Sequence, residues 1–564
     1  PAPQGVTCAR GRRMDQAGGY MRNLKHFLGI SLLVLVMTSS PVQSTSPASR
    51  ASCPQTPPTL DEWPSAQDLS DFNQWMACLG MRMAGTQSHR DLLEQIDRSL
   101  GSLVGADTLS RDVCTVRFKN WRATGTSLTL GASTNIPVVG YMPFSGLTAD
   151  EGVTAELVFQ KPAWWKRFYG PLNLLSPLKI RKKHEGKIVA FWVRSVKIPK
   201  WLLKMAARKG SDFDDWAPYR RPITIEKTAP CLNKAREKGV KGVVLVLDMS
   251  RPHAEGHYLP FTRSAEPVRA GVPGIHVARE DREELERHAK NNGSATLKLE
   301  GDFCCKASSD HLIYTLPGAH SGLDDEEIIL VQTHTDGPGA VEENGVMALI
   351  ALAHRFASVP QAKRKRTIVF LFATGHFVKE IEGAKELIWE DPPEWFAKTK
   401  AAVAIEHFGS KEWVDAKTGY AVREKDGKEL DEPALLFVPG GKHPLEKTAT
   451  DILPKDRRVV IPMRGRTKFV FGRKFFGEGQ YVACSGVPTV GYVPNPDYMF
   501  SSANPGGPGM PGHFEKLDPT RMLEELEAFH LLIKELVTGP LAGWPDVTPD
   551  VARCKEPKNS CGGH

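Results

Sequence analysis

Side chains that could hold a metal ion follow two apolar segments between residues 328 and 377. The first segment, Ile328–Val331, leads into His334-Thr335-Asp336, and Glu342-Glu343-Asn344 then precedes a helical pattern. The second segment, Thr367–Phe372, ends shortly before Gly375-His376. Because ligands of a parallel α/β sheet bind beyond the carboxyl ends of its strands, we expect these histidines and carboxylates to meet there. Imidazole and carboxylate groups are zinc ligands, so the pattern predicts a metal site at this edge of the sheet.

The segment from residue 304 onward alternates strand-like and helix-like patterns. Strands are predicted at 328–331, 367–372, 401–405 and 489–493, and helices at 344–356, 383–389 and 520–537. This alternation indicates an α/β fold with a mostly parallel sheet flanked by helices. Upstream, two helices are predicted within 68–104, the second capped by Ser88, and strands are predicted at 113–118 and 127–130.

The middle of the chain has the character of a second, smaller, β-rich α/β domain. Its predicted strands are 155–159, 187–193, 243–247, 272–277 and 295–299, and its predicted helices are 231–238 and 279–290. The continuous apolar run Val243–Leu247 is typical of a strand buried on both faces. A basic insertion that includes Trp164, Trp165 and Trp201 lies among these elements. It lacks a clean helical pattern, which favours a lid or docking surface over a membrane anchor.

Length and charge narrow the class of protein. The chain has 564 residues, 41% of them hydrophobic and 24% charged, which is ordinary for a globular protein of more than one domain. The net charge of +8 is mild, and no basic motif with interleaved aromatic residues predicts a nucleic-acid partner. The predicted units are a leader at 1–44, the N-terminal part of the main domain at 45–150, the smaller domain at 151–303, the rest of the main domain at 304–538 and a tail at 539–564.

The leader contains a predicted signal peptide from Met21 to Ser44. Arg22 and Lys25 precede the apolar run Phe27–Met37, and small residues follow, which is the pattern of a secretory signal. That run is shorter than the ~20 apolar residues that span a bilayer. No later segment of the sequence is long and apolar enough, so the mature chain is predicted to have no integral membrane segment. We therefore expect a secreted or periplasmic protein.

The chain has ten cysteines, and the predicted export would permit disulfides because the compartment is oxidising. Cys53 with Cys78, and Cys554 with Cys561, are the predicted pairs. Removal of the leader would leave nine cysteines, so at least one is expected to be unpaired or joined to another chain. No pair has the CxxC spacing of a structural zinc site.

Several motifs bear on the family of the protein. They are Met83-Ala84-Gly85-Thr86, Tyr141–Gly146, His334-Thr335-Asp336, Gly339–Gly345, Ile405–Gly409, Gly486–Val490, Pro496-Asp497-Tyr498 and His513–Asp518. These motifs resemble those of secreted zinc aminopeptidases and carboxypeptidases of the aminopeptidase Y and glutamate carboxypeptidase type. The resemblance covers most of residues 75–538 and implies a zinc exopeptidase-like fold. Through Gly239–Val244 and Gly271–Pro273, the smaller domain resembles an inserted protease-associated domain.

The resemblance implies a ligand set for one or two zinc ions, or for another divalent metal. The implied ligands are His334, Glu343, Glu406, His407 and His513. Glu343 and Glu406 stand where the family has aspartates, and of Glu406 and His407 one could be a neighbouring polar residue rather than a ligand. Asp336 would orient His334.

One departure from the family pattern concerns the base. Where the family has a Glu-Glu pair that provides the general base and a ligand, this chain has His376-Phe377. Phe377 cannot bind a metal, whereas His376 could be a ligand or a proton shuttle. Glu478, in Phe476-Gly477-Glu478-Gly479, and Tyr498 are candidates on the substrate side.

The function predicted from these residues is that of an exported, exopeptidase-like metallohydrolase acting on peptides or N-acylated amino acids. Asp336 and His376 would have catalytic roles, and a metal would lower the pKa of water. The alternative is a catalytically inactive binding or receptor-like protein on the same scaffold. An amidohydrolase with a glutaminyl cyclase-like reaction ranks third, because that reaction would also need the missing acidic base.

Overall fold

The computed structural model describes residues 7–10, 53–160, 180–258, 271–463 and 475–549, apart from short interruptions. The interruptions are 55, 61, 106–107, 194–195, 199–203, 206, 209–210, 213–218, 222–228, 379–380, 417–418, 476, 495, 497, 500–515, 542, 546 and 548. The signal peptide at 21–44, most of the Trp-rich insertion, His513, Cys554 and Cys561 lie outside the described residues. What the sequence indicates for them therefore stays a prediction.

The described part of the chain forms both strands and helices. The strands are β1 (Thr7–Arg10), β2 (Ser110–Leu130), β3 (Thr134–Ile136), β4 (Val138–Tyr141), β5 (Val153–Gln160), β6 (Ile188–Val193), β7 (Val196–Ile198), β8 (Tyr219–Arg221), β9 (Gly242–Leu247), β10 (His257–Tyr258), β11 (Gly274–Val277), β12 (Ser294–Leu316), β13 (Ile328–His334), β14 (Thr367–Ala373), β15 (Thr399–Ile405), β16 (Trp413–Ala416), β17 (Gly419–Val422), β18 (Glu424–Lys425), β19 (Lys428–Glu429), β20 (Ala434–Val438), β21 (Arg458–Pro462) and β22 (Thr489–Pro494). The α-helices are α1 (Ala66–Cys78), α2 (Gln87–Gly101), α3 (Ala229–Glu237), α4 (Arg251–Ala254), α5 (Arg282–Lys290), α6 (Gly345–Ala357), α7 (Pro444–Ile452), α8 (Gly479–Cys484) and α9 (Pro519–Thr538).

One large mixed sheet runs through the molecule in the order β10-β4-β11-β9-β6-β5-β12-β14-β13-β15-β22-β20-β21. β2 pairs with β12 beside this path and carries β1 and β3. In the main domain, β14, β13, β15 and β22 are parallel neighbours. This arrangement confirms the predicted α/β class with helices around a parallel centre. β20 and β21, which were not predicted from the sequence, extend the sheet beyond β22.

Central strands that are buried on both faces explain the continuous apolar runs. In β14, Phe370 and Phe372 belong to the apolar cluster that includes α1, α2, α6 and α9. Val369 and Leu371 belong to a cluster on the opposite face, with α8 and the π-helical turn Glu386–Glu390. Alternate side chains of a strand point to opposite faces, so a strand covered on both sides must be apolar throughout. This packing fixes where β13, β14 and β15 end.

The N-terminal helices α1 and α2 enclose a turn that contains Arg82. α2 begins after Thr86, whose side chain accepts a hydrogen bond from His89 N at 3.2 Å. The prediction that Ser88 caps this helix was wrong. Ser88 Oγ donates instead to Leu79 O at 2.7 Å, which ties the start of α2 to the end of α1.

Two long antiparallel strands, β2 and β12, connect the segment predicted as the smaller domain with the segment predicted as the main domain. They span 21 and 23 residues and pair along most of that length. Separate strands at 113–118 and 127–130 were therefore a wrong prediction, and the strand at 295–299 continues to Leu316. The exposed residues Lys119 and Arg122 interrupt the hydrophobic pattern while the backbone pairing continues. β12 runs across the boundary predicted at residue 303.

The other predicted elements, apart from the helix at 383–389, agree with the structure, with small shifts at their ends. In the smaller domain, the predicted strands correspond to β5, β6, β9 and β11, and the predicted helices to α3 and α5. In the main domain, the helix predicted at 383–389 is only the π-helical turn Glu386–Glu390. β9 pairs in parallel with both β6 and β11, as the neighbouring strands do in the centre of the main domain.

Cys53 and Cys78 form a disulfide, as predicted, with their Cα atoms 5.8 Å apart. The bond ties the segment before α1 to the end of that helix. Cys114 and Cys484 each take part in a disulfide bond as well. None of the helices in the described ranges has the length and apolar character that crossing a membrane requires.

Candidate metal centre

Three neighbouring parallel strands end at one edge of the sheet, and the candidate side chains lie there. His334 is the last residue of β13, His376 follows β14 by three residues, and Glu406 directly follows β15. β13 lies between β14 and β15, with His334 opposite Ala373. The structure thereby brings together His334, His376, Glu406 and His407.

The ligand atoms form two overlapping groups at this edge. The first group is His334, Glu406 and His407, and the second is His334, Glu342 and His376. Within each group the ligand atoms lie within 4.8 Å of one another. Glu406 Oε2 is 3.9 Å from His334 Nε2 and also from His407 Nε2. Glu342 Oε2 is 3.3 Å from His407 Nε2, so the two groups form one centre, in which no side chain is more than 8% exposed.

Hydrogen bonds at Nδ1 decide which nitrogen two of these histidines present. His334 Nδ1 lies 2.9 Å from Asp336 O, and His407 Nδ1 lies 2.8 Å from Pro494 O. A carbonyl oxygen only accepts, so Nδ1 carries a proton in both rings. Nε2 is then the nitrogen that can bind a metal, which is the usual arrangement of a metal-binding histidine.

One buried atom of this centre, His334 Nε2, has no hydrogen-bond partner among the described residues. His407 Nε2 and Glu342 Oε2 lie 3.3 Å apart and form an ion pair with each other. Buried polar atoms normally have partners. Atoms around a tetrahedral zinc ion, with bonds of about 2.0–2.1 Å, lie roughly 3.3 Å from one another. The separations of 3.3 Å and 3.9 Å are close to that spacing, so these residues fit a divalent ion such as zinc.

Burial and neighbouring charges shift the pKa values in the centre. Burial raises the pKa of Glu406 to about 8 and lowers the pKa of His334 well below its ordinary value. Burial would also lower the pKa of His407, but the Glu342 and Glu406 carboxylates raise it to about 9. Metal ligands bind in their deprotonated forms, so a bound dication would displace protons from these groups.

Glu478 connects two of the candidate ligands. Its backbone N donates to Glu406 Oε1 at 2.6 Å, and its carboxylate contacts His376 Nδ1. The same carboxylate accepts a hydrogen bond from Ala384 N at 3.3 Å. A carboxylate on the far nitrogen of a metal-binding histidine fixes the ring and raises its basicity. This geometry favours a positioning role for Glu478 over the predicted substrate contact.

Glycine is required at two positions where these carboxylates lie against the backbone. Gly477 and Gly383 have φ angles of +85° and +64°, in the left-handed region. A Cβ atom at Gly477 would clash with both carboxylate oxygens of Glu406, and a Cβ atom at Gly383 would clash with Glu478. Neither carboxylate could then keep its position.

We expect Gly477→Ala to weaken zinc binding by more than the roughly 10–100-fold that loss of an outer partner costs, because it displaces a candidate ligand itself. The added methyl group displaces the Glu406 carboxylate, and the left-handed backbone adds a cost of roughly 1–2 kcal/mol in stability. The matched control is Gly186→Ala, with φ +72° and no atom within 4 Å of the new Cβ. Competition with a chromophoric chelator measures the zinc affinity. Equal affinities for the two variants would contradict the prediction.

The carboxylate of Asp336 is directed to the turn after β14. It accepts hydrogen bonds from His376 N at 2.9 Å and from Phe377 N at 3.2 Å. The contact with His334 comes from the backbone carbonyl of Asp336, which lies 2.9 Å from His334 Nδ1. Burial raises the pKa of Asp336 to about 7, and these two N–H groups oppose the rise. Asp336 therefore positions His376.

Glu343 lies beside the centre but forms an ion pair with Arg82, and both side chains are fully buried. The guanidinium also donates to Met76 O and to Gly339 O, each at 2.6 Å. Burial raises the pKa of Glu343 to about 7, and the charge of Arg82 opposes that rise. The structure places Glu343 outside both ligand groups and places Glu342, which the sequence analysis passed over, inside one of them.

The turn at His407 has a left-handed backbone, with φ +56°. Asn344 holds Phe408, the residue after His407. Its Nδ2 donates to Phe408 O at 2.7 Å, and its Oδ1 accepts from Phe408 N at 3.1 Å. Glu525 of α9 accepts from Gly409 N at 2.7 Å. The left-handed conformation costs a residue with a side chain roughly 1–2 kcal/mol. These bonds hold the turn and keep His407 facing Glu342.

A buried polar network beneath the centre joins α2 to the ends of β13 and β14. His89 Nε2 lies 2.8 Å from Thr335 Oγ1, and His89 Nδ1 lies 3.2 Å from Ser309 Oγ. Ser309 Oγ is in turn 2.7 Å from Thr374 Oγ1. Burial lowers the pKa of His89 to about 3, and the positive charge of Arg82 contributes to this shift. The network therefore contains a histidine that stays neutral in the folded protein.

We expect the His89→Gln variant to lose stability less steeply in acid than the wild type. Folding lowers the pKa of His89 from 6.5 to about 3, so between these values only the unfolded chain takes up the proton. This group therefore reduces the free energy of unfolding by about 1.4 kcal/mol per pH unit as the pH falls through that window. Ser309→Ala removes a hydrogen bond and keeps the histidine, so it should retain the slope. Urea unfolding across this range measures both, and equal slopes for His89→Gln and wild type would refute the expectation.

Of the two remaining predicted residues, Tyr498 lies in the described part of the chain and has its own hydrogen-bond partners. Tyr498 is 2% exposed, and its hydroxyl lies 2.8 Å from Lys411 O and 2.9 Å from Lys516 O. These bonds favour a structural role for Tyr498 over a substrate contact. His513 lies outside the described residues, so its assignment as a ligand stays a prediction.

A parallel sheet between helices, with histidines and carboxylates at its carboxyl edge, is a zinc exopeptidase-like fold. The zinc aminopeptidase BSAP from Bacillus subtilis matches with a TM-score of 0.52 and 16% identity, covering 85% of this chain and 97% of that one. A Peptidase M28 precursor from Shewanella amazonensis matches with a TM-score of 0.50 and 15% identity, covering 86% and 98%. Neither a protein-family profile nor a curated protein sequence matches the chain. At these identities the similarity establishes the fold alone.

Proposed function

We propose that this chain is a zinc-dependent hydrolase of the exopeptidase type that acts on peptides or N-acylated amino acids. One observation carries the proposal. The Nε2 atom of His334 is buried, has no hydrogen-bond partner in the described parts of the chain, and lies 3.9 Å from Glu406 Oε2, which is equally close to His407 Nε2. Unpaired buried polar atoms destabilise a fold. A divalent ion would remove that penalty, so the arrangement supports a metal centre.

The ligands that we assign to this ion are His334, Glu342, Glu406 and His407, with His376 as a further ligand or as the proton carrier. Nitrogen and oxygen donors suit zinc, and they also suit cobalt and manganese. When bound, such an ion polarises a carbonyl group and makes water more acidic. The protein contributes the burial that keeps bulk water away and the hydrogen bonds that hold each donor in place.

We assign proton transfer to His376, with Glu478 as its partner. The Glu478 carboxylate contacts His376 Nδ1 and holds the ring in one orientation. The ring stacks on that of His334, with centroids 4.3 Å apart, so it lies directly beside the centre. A positioned histidine transfers protons effectively near neutral pH. In this proposal, His376 and Glu478 would together replace the Glu-Glu pair that provides the general base and a ligand in the zinc aminopeptidase and carboxypeptidase family that the sequence resembles.

The enclosure of the centre supports a small substrate end rather than an internal loop. Phe377 is buried, and its ring lies 5.9 Å from that of His334. It packs into an apolar cluster of the smaller domain together with Met499. We propose that the smaller domain is a protease-associated domain and that it limits access from this side. A chain terminus or an acyl amino acid would fit such a site better than a folded segment.

We also propose that the protein works in an oxidising compartment outside the cytoplasm. The disulfide between Cys53 and Cys78 supports this location, because disulfides persist in exported proteins and are rare in the cytosol. The signal peptide predicted at 21–44 agrees with it. Mass spectrometry of the mature N-terminus after secretion would test the proposal.

A peptide-library assay tests the proposed activity directly. The purified chain would be loaded with zinc, cobalt or manganese, its metal content measured, and cleavage of free, N-acylated and C-terminally blocked peptides followed by mass spectrometry. We expect removal of single terminal residues, and loss of cleavage when the metal is stripped. Protein that contains metal but cleaves none of these substrates with any of the three ions would overturn the proposal.

A further inference from the structure

The two groups of candidate ligands depend on the same nitrogen atom. His334 belongs to both groups. Its Nδ1 is hydrogen-bonded to Asp336 O at 2.9 Å, which leaves Nε2 as the only nitrogen for a metal. One imidazole nitrogen donates one lone pair to one ion. His334 can therefore complete only one of the two groups at a time, so the two groups cannot both hold an ion through this histidine.

The carboxylates that could extend the centre to a second ion have other partners. Glu406 uses Oε1 to accept the backbone N–H of Glu478 at 2.6 Å, so only Oε2 faces the histidines. Glu343, adjacent in sequence to the candidate ligand Glu342, is paired with the guanidinium of Arg82. Because both members of this pair are fully buried, water does not screen their attraction.

Hydrogen bonds hold both the guanidinium and the backbone of Arg82 in place. The guanidinium donates to Met76 O and Gly339 O at 2.6 Å. Its backbone N donates to Gly337 O at 3.0 Å, and Gly337 N donates back to Arg82 O at 3.2 Å. Gly337 directly follows Asp336, so Arg82 is fixed to the loop that leads out of β13. Arginine stays protonated in proteins, so the positive charge at this place is permanent.

We propose that this centre holds a single divalent ion and that the guanidinium of Arg82 takes the place of a second one. The inference rests on the proposed metal centre and sets its stoichiometry. Arg82 is a positioning residue, since it neutralises Glu343 and keeps that carboxylate away from the ion, which leaves Glu342 to bind. A second dication would meet the repulsion of a buried positive charge and a carboxylate that is already neutralised.

Metal titration of the full chain tests this inference. The protein would be stripped with a chelator and titrated with zinc alone, with bound metal counted by elemental analysis and calorimetry. We expect one ion per chain. Electron paramagnetic resonance of the cobalt-loaded protein should show an isolated ion without coupling to a neighbour. Two ions per chain, or a spin-coupled cobalt pair, would overturn the inference and leave the proposed activity standing.

Glu343→Gln distinguishes a positioning residue from a ligand. We expect the variant to bind one zinc ion with an affinity within about threefold of wild type, because Glu343 does not touch the ion. A loss of affinity larger than the roughly 10–100-fold typical of outer partners would overturn the inference. If burial of an unpaired Arg82 unfolds this variant, the double variant Arg82→Met/Glu343→Met removes both charges and should still bind one ion. One ion without hydrolysis would refute the proposed function alone, and no ion in the wild type would refute both.

Discussion

Glu406→Gln is expected to lower the affinity for zinc by at least about 100-fold, beyond the loss caused by removal of an outer partner of a ligand. Glu406 Oε2 lies 3.9 Å from the Nε2 atoms of both His334 and His407. Glutamine can still accept the hydrogen bond from Glu478 N, so it should fold. It places an NH2 group, which only donates, opposite the two nitrogens that would bind the ion. Zinc content after dialysis and calorimetric titration measure the effect.

Substitutions of two further carboxylates serve as comparisons for the loss of zinc affinity in Glu406→Gln. Glu478→Gln removes the charge that contacts His376 Nδ1 and should cost about 10–100-fold in affinity, as an outer partner does. Glu446→Gln breaks an ion pair with Arg208, remote in sequence from the centre, and should leave zinc binding unchanged. Full zinc retention in Glu406→Gln, or a larger loss in Glu446→Gln than in Glu406→Gln, would show that the ion is held elsewhere.

Arg82→Met is expected to reduce the free energy of unfolding by about 3–5 kcal/mol, the cost of leaving one member of a buried ion pair alone. The substitution strands the Glu343 carboxylate where no water reaches it, and it leaves Met76 O and Gly339 O without the guanidinium donor. Since Glu343 can lessen the penalty by taking up a proton, the loss should be smaller at low pH. Denaturant unfolding at several pH values measures it.

The chain offers a matched control in Arg364. Its guanidinium is buried and donates to Pro317 O, Phe356 O and Val359 O, with no carboxylate among these bonds. Arg364→Met should therefore cost less than Arg82→Met and show no increase in cost with pH, and Arg82→Met/Glu343→Met should recover part of the stability. Equal losses in the two arginine variants would mean that lost backbone hydrogen bonds, and not a stranded charge, explain the result.

The strand ends could be predicted because their signals are local. The apolar runs before His334, His376 and Glu406 are short, continuous and followed by turn residues, so the edge of the sheet where these side chains lie follows from the parallel arrangement. Which of the two carboxylates, Glu342 or Glu343, faces the histidines could not be predicted in this way. Both precede the first turn of α6, where no periodicity orients them.

Long-range partners also decided what several predicted residues do. Asp336 turned its carboxylate to the backbone of His376 and Phe377. Glu478 reached His376 from the start of α8. Neither contact has a pattern in the sequence, because the partners lie on different strands and helices. The same holds for the continuous pairing of β2 and β12, which exposed polar residues conceal.

By itself the sequence determined the alternation of strands and helices, the edge where a metal could bind and the Cys53–Cys78 pair. Hydrophobic periodicity and turn residues act over a few positions, so a single segment suffices to predict a strand or a helix and the point where it ends. The tertiary structure alone decided which carboxylates face the histidines and which are neutralised by Arg82. In a buried volume every charge needs a counter-charge or a hydrogen bond, and the packing of distant segments determines which groups share that volume.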